Sequence, residues 1–292
     1  MAKKRTGPPR VVFWPFALFG NPGGEAGVEM LHEALVASLE EAALEPTSRQ
    51  HALARDAEVE LRPFLDEEAF VGWRAEIGRE FKASLGRGEF PVFVGGNHLT
   101  ALPVYQAYAD MDARVCIVSF DAHLDAYALA GAQETVHHGN FLLHLARGPR
   151  LSIVNVGHRD LILGPERVRE FFDRDWPVEA IAARPLEALL GELRDHLAGH
   201  DLVHVDIDVD VLDPSVLRAV GTPMPCGLST QQLLAILAGI WSPKIAGVTL
   251  SEFNGALDAD GSGRHVVAFL LEWLLLKRTE SLAKPRATKR RS

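Results

Sequence analysis

Residues 115–127 of the chain read VCIVSFDAHLDAY. Its first four residues are apolar and mostly β-branched, which is typical of a buried β-strand. Three side chains that can bind a metal follow at every second position, namely Asp121, His123 and Asp125. Alternate residues of an extended chain project to the same side. The stretch therefore predicts a buried strand that ends in three potential ligands on one face.

The same pattern of an apolar run that ends in polar or glycine residues occurs five more times. These segments are residues 10–20, 90–98, 151–160, 202–214 and 245–254. Between the strands, apolar residues recur three and four positions apart, which predicts helices. These helical segments are residues 27–44, 66–88, 165–176, 185–199, 229–241 and 264–278. Alternating strands and helices predict an α/β fold with a mainly parallel sheet covered on both faces.

The chain has no internal repeat and no long linker. We therefore expect one domain over residues 10–278, with basic, flexible tails at 1–9 and 279–292. Clusters of glycine and proline inside the domain are interpreted as loops above one edge of the sheet. In open parallel sheets, ligands bind at the carboxyl ends of the strands, where this sequence concentrates Asp, His and Glu.

Composition narrows the class of protein. The formal net charge of −9 argues against binding to nucleic acid or to an anionic membrane. The 292 residues contain only two cysteines, which form neither a disulfide framework nor a zinc-finger spacing. No apolar run is long enough to span a bilayer. We expect a soluble, cytoplasmic protein.

Three predicted strand ends carry candidate metal ligands. His98 follows two glycines in GGNH, Asp121 to Asp125 follow the next strand, and Asp206, Asp208 and Asp210 alternate in DIDVD. Burying this many carboxylates is unfavourable unless cations neutralise them. A set with more carboxylates than imidazoles suits hard divalent ions better than a structural zinc ion. Two Mn²⁺ ions bridged by carboxylates fit this set, although not every acid in the last segment can be a ligand.

The ordered motifs GGNH, DAHLD, HG, DVDVLDP, GTP and SEFN resemble the ureohydrolase family, which contains arginase, agmatinase, guanidinobutyrase and formimidoylglutamase. The resemblance covers nearly the whole chain. It implies a three-layer α/β/α arginase-type fold and a binuclear manganese centre, with Ni²⁺, Co²⁺ or Fe²⁺ as open alternatives. It assigns Asp206 to the surroundings of the metals. The implied ligands are His98, Asp121, His123, Asp125, Asp208 and Asp210.

The resemblance also implies catalytic roles. Glu252 in SEFN would hold the guanidinium group, Asp125 would pass a proton to the leaving amine, and His138 would relay protons to solvent. His137 is the alternative proton shuttle; the following Gly139 favours His138. The products would be urea and an amine. Family members are typically trimers or hexamers, so a homo-oligomer is expected.

Departures from the motifs bear on the substrate. Tyr127 stands where arginases have an asparagine, and Leu161 and Ile162 replace an expected acid after GHRD. Because arginases use these positions to bind the amino acid end of arginine, we expect agmatine or another guanidino compound as the substrate. Arginase and formimidoylglutamase activities remain alternatives.

Three other functions are considered. Binuclear metallophosphoesterases also contain D-x-H and GNH, but in the opposite order to His98 and Asp121. Deacetylases of acetylpolyamines or histones share the fold implied by the resemblance but use one zinc ion and fewer acids. A noncatalytic, metal-binding relative is the third possibility.

Overall fold

The computed structural model describes residues 7–64, 70–128 and 135–282. Its centre is one eight-stranded sheet in which every neighbouring pair of strands is parallel. The strands are β1 Pro9–Trp14, β2 Glu58–Leu61, β3 Phe90–Gly95, β4 Val115–Phe120, β5 Leu151–Val156, β6 Arg174–Trp176, β7 Leu202–Asp208 and β8 Ile245–Ser251. Their order across the sheet is β2-β1-β3-β8-β7-β4-β5-β6.

Helices cover both faces of the sheet. They are α1 Gly24–Leu44, α2 His51–Asp56, α3 Phe70–Arg87, α4 Ala101–Ala109, α5 Pro165–Phe171, α6 Val178–Ala182, α7 Leu186–Ala198, α8 Thr230–Ile240 and α9 Ser262–Leu282. One apolar core lies between the sheet and α1, α2, α6, α7, α8 and α9, and a second lies between the sheet and α3, α4 and α5. The predicted three-layer α/β/α fold is confirmed.

The alternation of side chains in β4 shows how the sequence forms the two cores. Cys116, Val118 and Phe120 belong to the first core, and Val115 and Ile117 belong to the second. Successive residues of a strand point to opposite faces, and a strand covered on both faces must be apolar throughout. This explains why the predicted strands are continuous apolar runs.

Five of the predicted helices correspond to helices of the structure, but the sixth, predicted over residues 165–176, is wrong beyond Phe171. The chain turns there, and Arg174–Trp176 pairs with β5 as an edge strand. The Asp173 backbone N–H donates to the Ile153 carbonyl oxygen at 2.8 Å, and the Asp173 carboxylate accepts from the Ile153 N–H at 3.1 Å. Apolar spacing alone does not distinguish a short helix from a turn that a neighbouring strand stabilises.

The two edge strands, β2 and β6, and the short helices α2, α4 and α6 were not predicted, because segments this short carry too little periodicity. At the ends, β1 begins at Pro9 and α9 continues to Leu282. Residues 1–6 and 283–292 of the predicted tails lie outside the described residues. Within the described part of the chain, no helix combines the length and the apolar character needed to cross a bilayer.

Candidate metal centre

Four neighbouring strands place the candidate ligands at one edge of the sheet. His98 lies three residues after β3, Asp121 directly follows β4, Asp208 ends β7 and Glu252 directly follows β8. These strands are adjacent in the order β3-β8-β7-β4, and all are parallel, so their carboxyl ends meet. Together with His138, which begins a short 3₁₀ helix, the structure brings all eight predicted site residues to this edge.

The donor atoms form two overlapping groups. In one group, ligand atoms of His98, Asp121 and Asp125 lie within 4.8 Å of one another; in the other, those of Asp121, His123 and Asp210 do so. Asp121 is common to both groups. A shared carboxylate between two groups of donors is the arrangement that a pair of bridged cations requires.

The remaining distances connect these groups. His98 Nδ1 lies 2.8 Å from an Asp125 carboxylate oxygen, 3.2 Å from one of Asp121 and 3.4 Å from one of Asp208. His123 Nδ1 lies 2.9 Å from a carboxylate oxygen of Asp210. All of these aspartates are buried. Four carboxylates and two imidazoles therefore converge in a volume closed to bulk solvent on most sides.

The charges of this cluster fit divalent cations. Burial and the neighbouring Asp125 raise the pKa of Asp121 to about 7, and burial together with Asp210 raises the pKa of Asp208 well above its usual value. Burial opposes protonation of His123, but Asp210 and other carboxylates outweigh it and raise its pKa to about 10. The raised pKa values mean that these groups retain protons, which partly balance the negative charge of the cluster. Two divalent ions would balance the four aspartates and leave the imidazoles neutral, as metal ligands must be.

Asp206 lies beside the donor groups but is not a member of either. Its carboxylate accepts from Tyr105 Oη at 2.5 Å and from Thr249 Oγ1, and it lies 2.8 Å from His98 Nε2. His98 therefore faces the donor cluster with Nδ1 and faces Asp206 with Nε2. A carboxylate in this position fixes the orientation of a ligating histidine.

Glu252 and His138 are in contact at the rim of the centre. Glu252 Oε1 accepts from the His98 backbone N–H at 2.7 Å and lies 3.0 Å from His138 Nδ1. Although burial lowers the pKa of His138, its contact with Glu252 outweighs this and raises the pKa. His137 instead uses its side chain to accept from the Gly139 N–H at 3.2 Å, and burial followed by the neighbouring His138 lowers its pKa. Only His138 of the pair contacts Glu252.

An open cavity of about 430 Å³ leads to these groups. His123, Asp125, His138 and Glu252 line its inner part, and Tyr127, Asp160, Leu161 and Ile162 also line it. Leu161 and Ile162, which stand where the motif comparison expects an acid, are 94% and 66% exposed. The cavity has room for a small substrate.

Two residues near the centre, Tyr127 and Arg159, make contacts that the sequence did not predict. Tyr127 Oη donates to Asp160 at 2.5 Å and accepts from the Leu124 N–H at 3.1 Å. The guanidinium of Arg159 donates to six backbone carbonyls in three chain segments. The GHRD motif, which contains both Arg159 and Asp160, was the available signal, but the sequence does not show which backbone segments pass nearby.

Two site residues adopt an uncommon backbone conformation. Asp125 and Glu252 have φ values of 42° and 72°, in the left-handed region that few residues other than glycine occupy. Such conformations cluster at functional sites, where the surrounding structure holds them. Two of the five non-glycine residues with positive φ in the described part of the chain are therefore predicted catalytic residues.

The sequence of this chain is similar to those of known proteins. The family model described as the arginase family matches residues 11–276. Mitochondrial agmatinase of Gallus gallus is 29% identical over 205 residues, covering 67% of this chain and 58% of the relative. Guanidinopropionase of Pseudomonas aeruginosa is 30% identical over 203 residues, covering 68% and 63%. The chain thus spans about three fifths of the length of these curated relatives.

A solved structure extends the comparison to the fold. The crystal structure of a hypothetical agmatinase from Burkholderia thailandensis has a TM-score of 0.76 and 21% identity, covering 94% of this chain and 87% of that one. The likeness therefore extends over most of the fold. The predicted resemblance to the ureohydrolases is confirmed, and because the family match runs from β1 into α9, the protein belongs to the arginase family.

Proposed function

We propose that the protein is a binuclear-metal hydrolase that cleaves a C–N bond of a guanidino compound, in the manner of an agmatinase, and releases urea and an amine. The observation that carries this proposal is the pair of donor groups that share Asp121, next to Glu252 in an open cavity. The names of the relatives, agmatinase and guanidinopropionase, support the same class of substrate.

His98, Asp121, His123, Asp125, Asp208 and Asp210 would hold two Mn²⁺ ions; their oxygen-rich donor set also suits Ni²⁺, Co²⁺ or Fe²⁺. When bound, such a pair of cations supplies a hydroxide nucleophile at neutral pH. The protein contributes the orientation of the ligands, since His98 is fixed by Asp206 and the Asp210 N–H donates to Asp208 at 2.9 Å.

The other residues act on the substrate. Glu252 holds the planar guanidinium by charge-assisted hydrogen bonds and so presents its carbon for attack. Asp125 transfers a proton to the leaving amine, and His138 exchanges protons with solvent through the cavity. The contact between His138 Nδ1 and Glu252 supports His138 over His137 for this role.

The far end of the substrate meets Tyr127, Asp160, Leu161 and Ile162. One carboxylate oxygen of Asp160 accepts from Tyr127, and the other accepts from the backbone N–H groups of Ile162 and Leu163. The Asp160 carboxylate is thus held by groups of the protein, and its exposed neighbours Leu161 and Ile162 are apolar. This supports agmatine or another guanidino compound over L-arginine, whose amino acid end carries two charges that need partners.

Further properties are part of the proposal. One continuous sheet supports a single domain over residues 10–278. The low cysteine content supports a reducing, cytoplasmic location, and the family membership supports a homo-oligomer.

The test is a substrate panel on the Mn²⁺-reconstituted protein. Agmatine, L-arginine, 4-guanidinobutyrate, 3-guanidinopropionate and N-formimidoyl-L-glutamate are compared by product release, with urea and formamide measured separately. We expect urea from agmatine or a guanidino acid at the highest kcat/KM. Dominant turnover of L-arginine, or formamide as the main product, would assign a different member of the family.

Glu252→Gln is the matched control for this panel. Because the amide has nearly the same shape but no charge, we expect manganese content to stay at two per chain while kcat/KM falls at least about 100-fold. One zinc per chain with release of acetate from an acetylpolyamine would contradict the proposal. So would two bound manganese ions without turnover of any member of the panel.

A further inference from the structure

A second group of metal-binding side chains lies at the opposite end of the sheet. Cys116 is the second residue of β4, His196 lies in the last turn of α7, and His200 follows that helix by two residues. One ligand atom from each residue lies within 4.8 Å of the other two. Asp121 is five residues further along the extended chain from Cys116, a distance of about 16 Å. The two groups of donors are therefore separate.

Packing of α7 on the sheet brings these three residues together. Cys116 belongs to the same apolar core as Leu193 and Leu197 of α7, and its side chain is fully buried. His196 and His200 are four positions apart, and their ring centroids lie 5.1 Å apart with planes inclined by 38°. No contiguous sequence motif predicts this group, because 79 residues separate the cysteine from the first histidine.

Hydrogen bonds leave one nitrogen of each ring available as a ligand. His200 Nδ1 lies 3.0 Å from the carbonyl oxygen of His196. A carbonyl only accepts, so Nδ1 carries the hydrogen and Nε2 carries the lone pair. His196 Nε2 lies 3.1 Å from Ser152 Oγ, which can accept its hydrogen and leave the lone pair on Nδ1. Histidines that bind metals commonly donate their other N–H to such partners.

The protonation states suit a metal ion. Burial, followed by the neighbouring His200, lowers the pKa of His196. Burial, helped by the charge of Arg114, also lowers the pKa of His200, although its hydrogen bond to the His196 carbonyl opposes this. Both imidazoles are therefore neutral at pH 7, as ligands must be. Burial raises the pKa of the Cys116 thiol to about 12, so the thiol keeps its proton unless a cation replaces it.

One member of the group is reached from solvent. His200 lines an open cavity of about 620 Å³, together with Ser152, Asp173, Arg114, Arg147 and Arg150. Asp173 favours positive charge on both histidines and is itself held by Arg147 Nη2 at 2.5 Å. An ion could reach His200 through this cavity, and water could supply its remaining ligand.

We propose that Cys116, His196 and His200 form a second metal site that binds one zinc ion. Thiolate and imidazole favour zinc over manganese, in contrast to the carboxylates of the first centre. Three protein ligands with one open position is a common tetrahedral zinc arrangement. As the bond between sulfur and zinc forms, the thiol proton leaves to solvent. The ion would connect the start of β4 to the end of α7.

Cobalt titration of the Mn²⁺-loaded full-length protein tests this site. Co²⁺ replaces zinc in tetrahedral sites, and a cobalt–thiolate bond gives a charge-transfer absorption in the near ultraviolet. Co²⁺ that enters the carboxylate centre gives no such absorption, because that centre contains no cysteine. We expect the absorption to saturate at one cobalt per chain and to disappear when one equivalent of Zn²⁺ is added.

Variants assign the absorption to its ligands. Cys116→Ser should abolish it, whereas Cys226→Ser, which changes the other and exposed cysteine, should leave it unchanged. His200→Gln changes a partly buried residue outside the core and should weaken cobalt binding at least about tenfold, since even changes beyond the ligands have effects of this size. If Cys116→Ser does not fold, cobalt binding by His200→Gln and by the wild type is compared instead to test the site.

Three results would overturn the proposal: no thiolate absorption in the native protein, absorption that depends on Cys226, or cobalt binding that His200→Gln leaves unchanged. The readout is spectroscopic and does not use urea release. It therefore stands or falls separately from the proposed hydrolase activity.

Discussion

Asp206 shows how a buried carboxylate outside the donor groups can orient a histidine that belongs to one of them. It is completely buried and accepts hydrogen bonds from Tyr105, Thr249 and the outward nitrogen of His98. The negative charge on this side of the ring makes the opposite nitrogen a stronger donor to a cation and holds its orientation. At the scale of a residue, the structure separates aspartates that face the donor cluster from one that supports it.

Asp206→Asn is therefore expected to weaken manganese binding about 10- to 100-fold, the usual effect of removing a partner of a ligating histidine. The substitution keeps the size of the side chain and removes its charge. Isothermal titration of Mn²⁺ into the metal-depleted protein measures the change. Asp201→Asn, the same substitution at an exposed carboxylate paired with Arg114, is the control and should leave the affinity unchanged. Equal affinities of the wild type and Asp206→Asn would contradict this role.

At the scale of elements, the guanidinium of Arg159 holds the loop after β7 by hydrogen bonds to its backbone. Arg159 is 8% exposed and donates to the carbonyl oxygens of Asp210 at 2.8 Å and Val211 at 3.1 Å. It also donates to Met224 at 2.8 Å and Pro225 at 3.1 Å in a second loop. Buried carbonyls need donors, and Arg159 supplies one to each of these oxygens, although the Val211 oxygen also accepts from the Leu228 backbone N–H at 2.9 Å. Arg159 thereby holds the backbone that carries Asp210.

Replacing Arg159 by Met should lower the free energy of unfolding by at least about 2 kcal/mol, because several buried carbonyls lose their donors. Urea denaturation measures the change. Arg114→Met, at an exposed arginine, is the control and should stay within about 0.5 kcal/mol of the wild type. Arg159→Lys should recover only part of the loss, since an ammonium group lacks the planar fork that reaches separate carbonyls. Full recovery with Lys would show that charge alone matters.

At the scale of the whole molecule, the fold gathers four buried aspartates at one edge of the sheet, more negative charge than the neighbouring Arg159 balances. The ends of four strands meet there, and burial raises the pKa of Asp121 and of Asp208. Protons and divalent ions compete for this charge. Metal binding must therefore release protons.

This competition determines whether the affinity for Mn²⁺ rises or falls with pH. His123, with its pKa raised to about 10, holds a proton throughout the neutral range, and Asp121, with its pKa raised to about 7, holds one only below about pH 7. Raising the pH removes the competitor, so the apparent affinity for Mn²⁺ should increase between pH 6 and 8.5. The expected slope is about tenfold per pH unit for each proton released, and it should flatten above pH 7 as Asp121 ionises.

Titrations in buffers of different ionisation enthalpy measure both the affinity and the number of protons released. The gain in melting temperature on adding Mn²⁺ should likewise be larger at pH 8 than at pH 6. An affinity independent of pH over this range would show that the donors are already free of protons in the metal-free protein.

The amino-acid sequence alone predicted the central strands, most of the long helices, the class of fold and the residues that meet at the carboxyl edge. It could do so because each of these depends on local patterns: apolar runs, helical periodicity, and polar residues placed directly after strands such as Asp121 after β4. The edge strands β2 and β6 exist only because a neighbouring strand pairs with them, so no local pattern predicted them.

The contacts within the site were also beyond local patterns. Asp206, Asp208 and Asp210 alternate identically in the sequence. The resemblance to the ureohydrolases set Asp206 apart from the ligands, but only the position of His98 after another strand makes Asp206 a partner of that ring. Arg159 and the group of Cys116, His196 and His200 likewise depend on segments far apart in the chain. The sequence determined which chemical groups are present and where strands end, whereas tertiary packing decided which groups touch, because contact distances arise only when elements pack together.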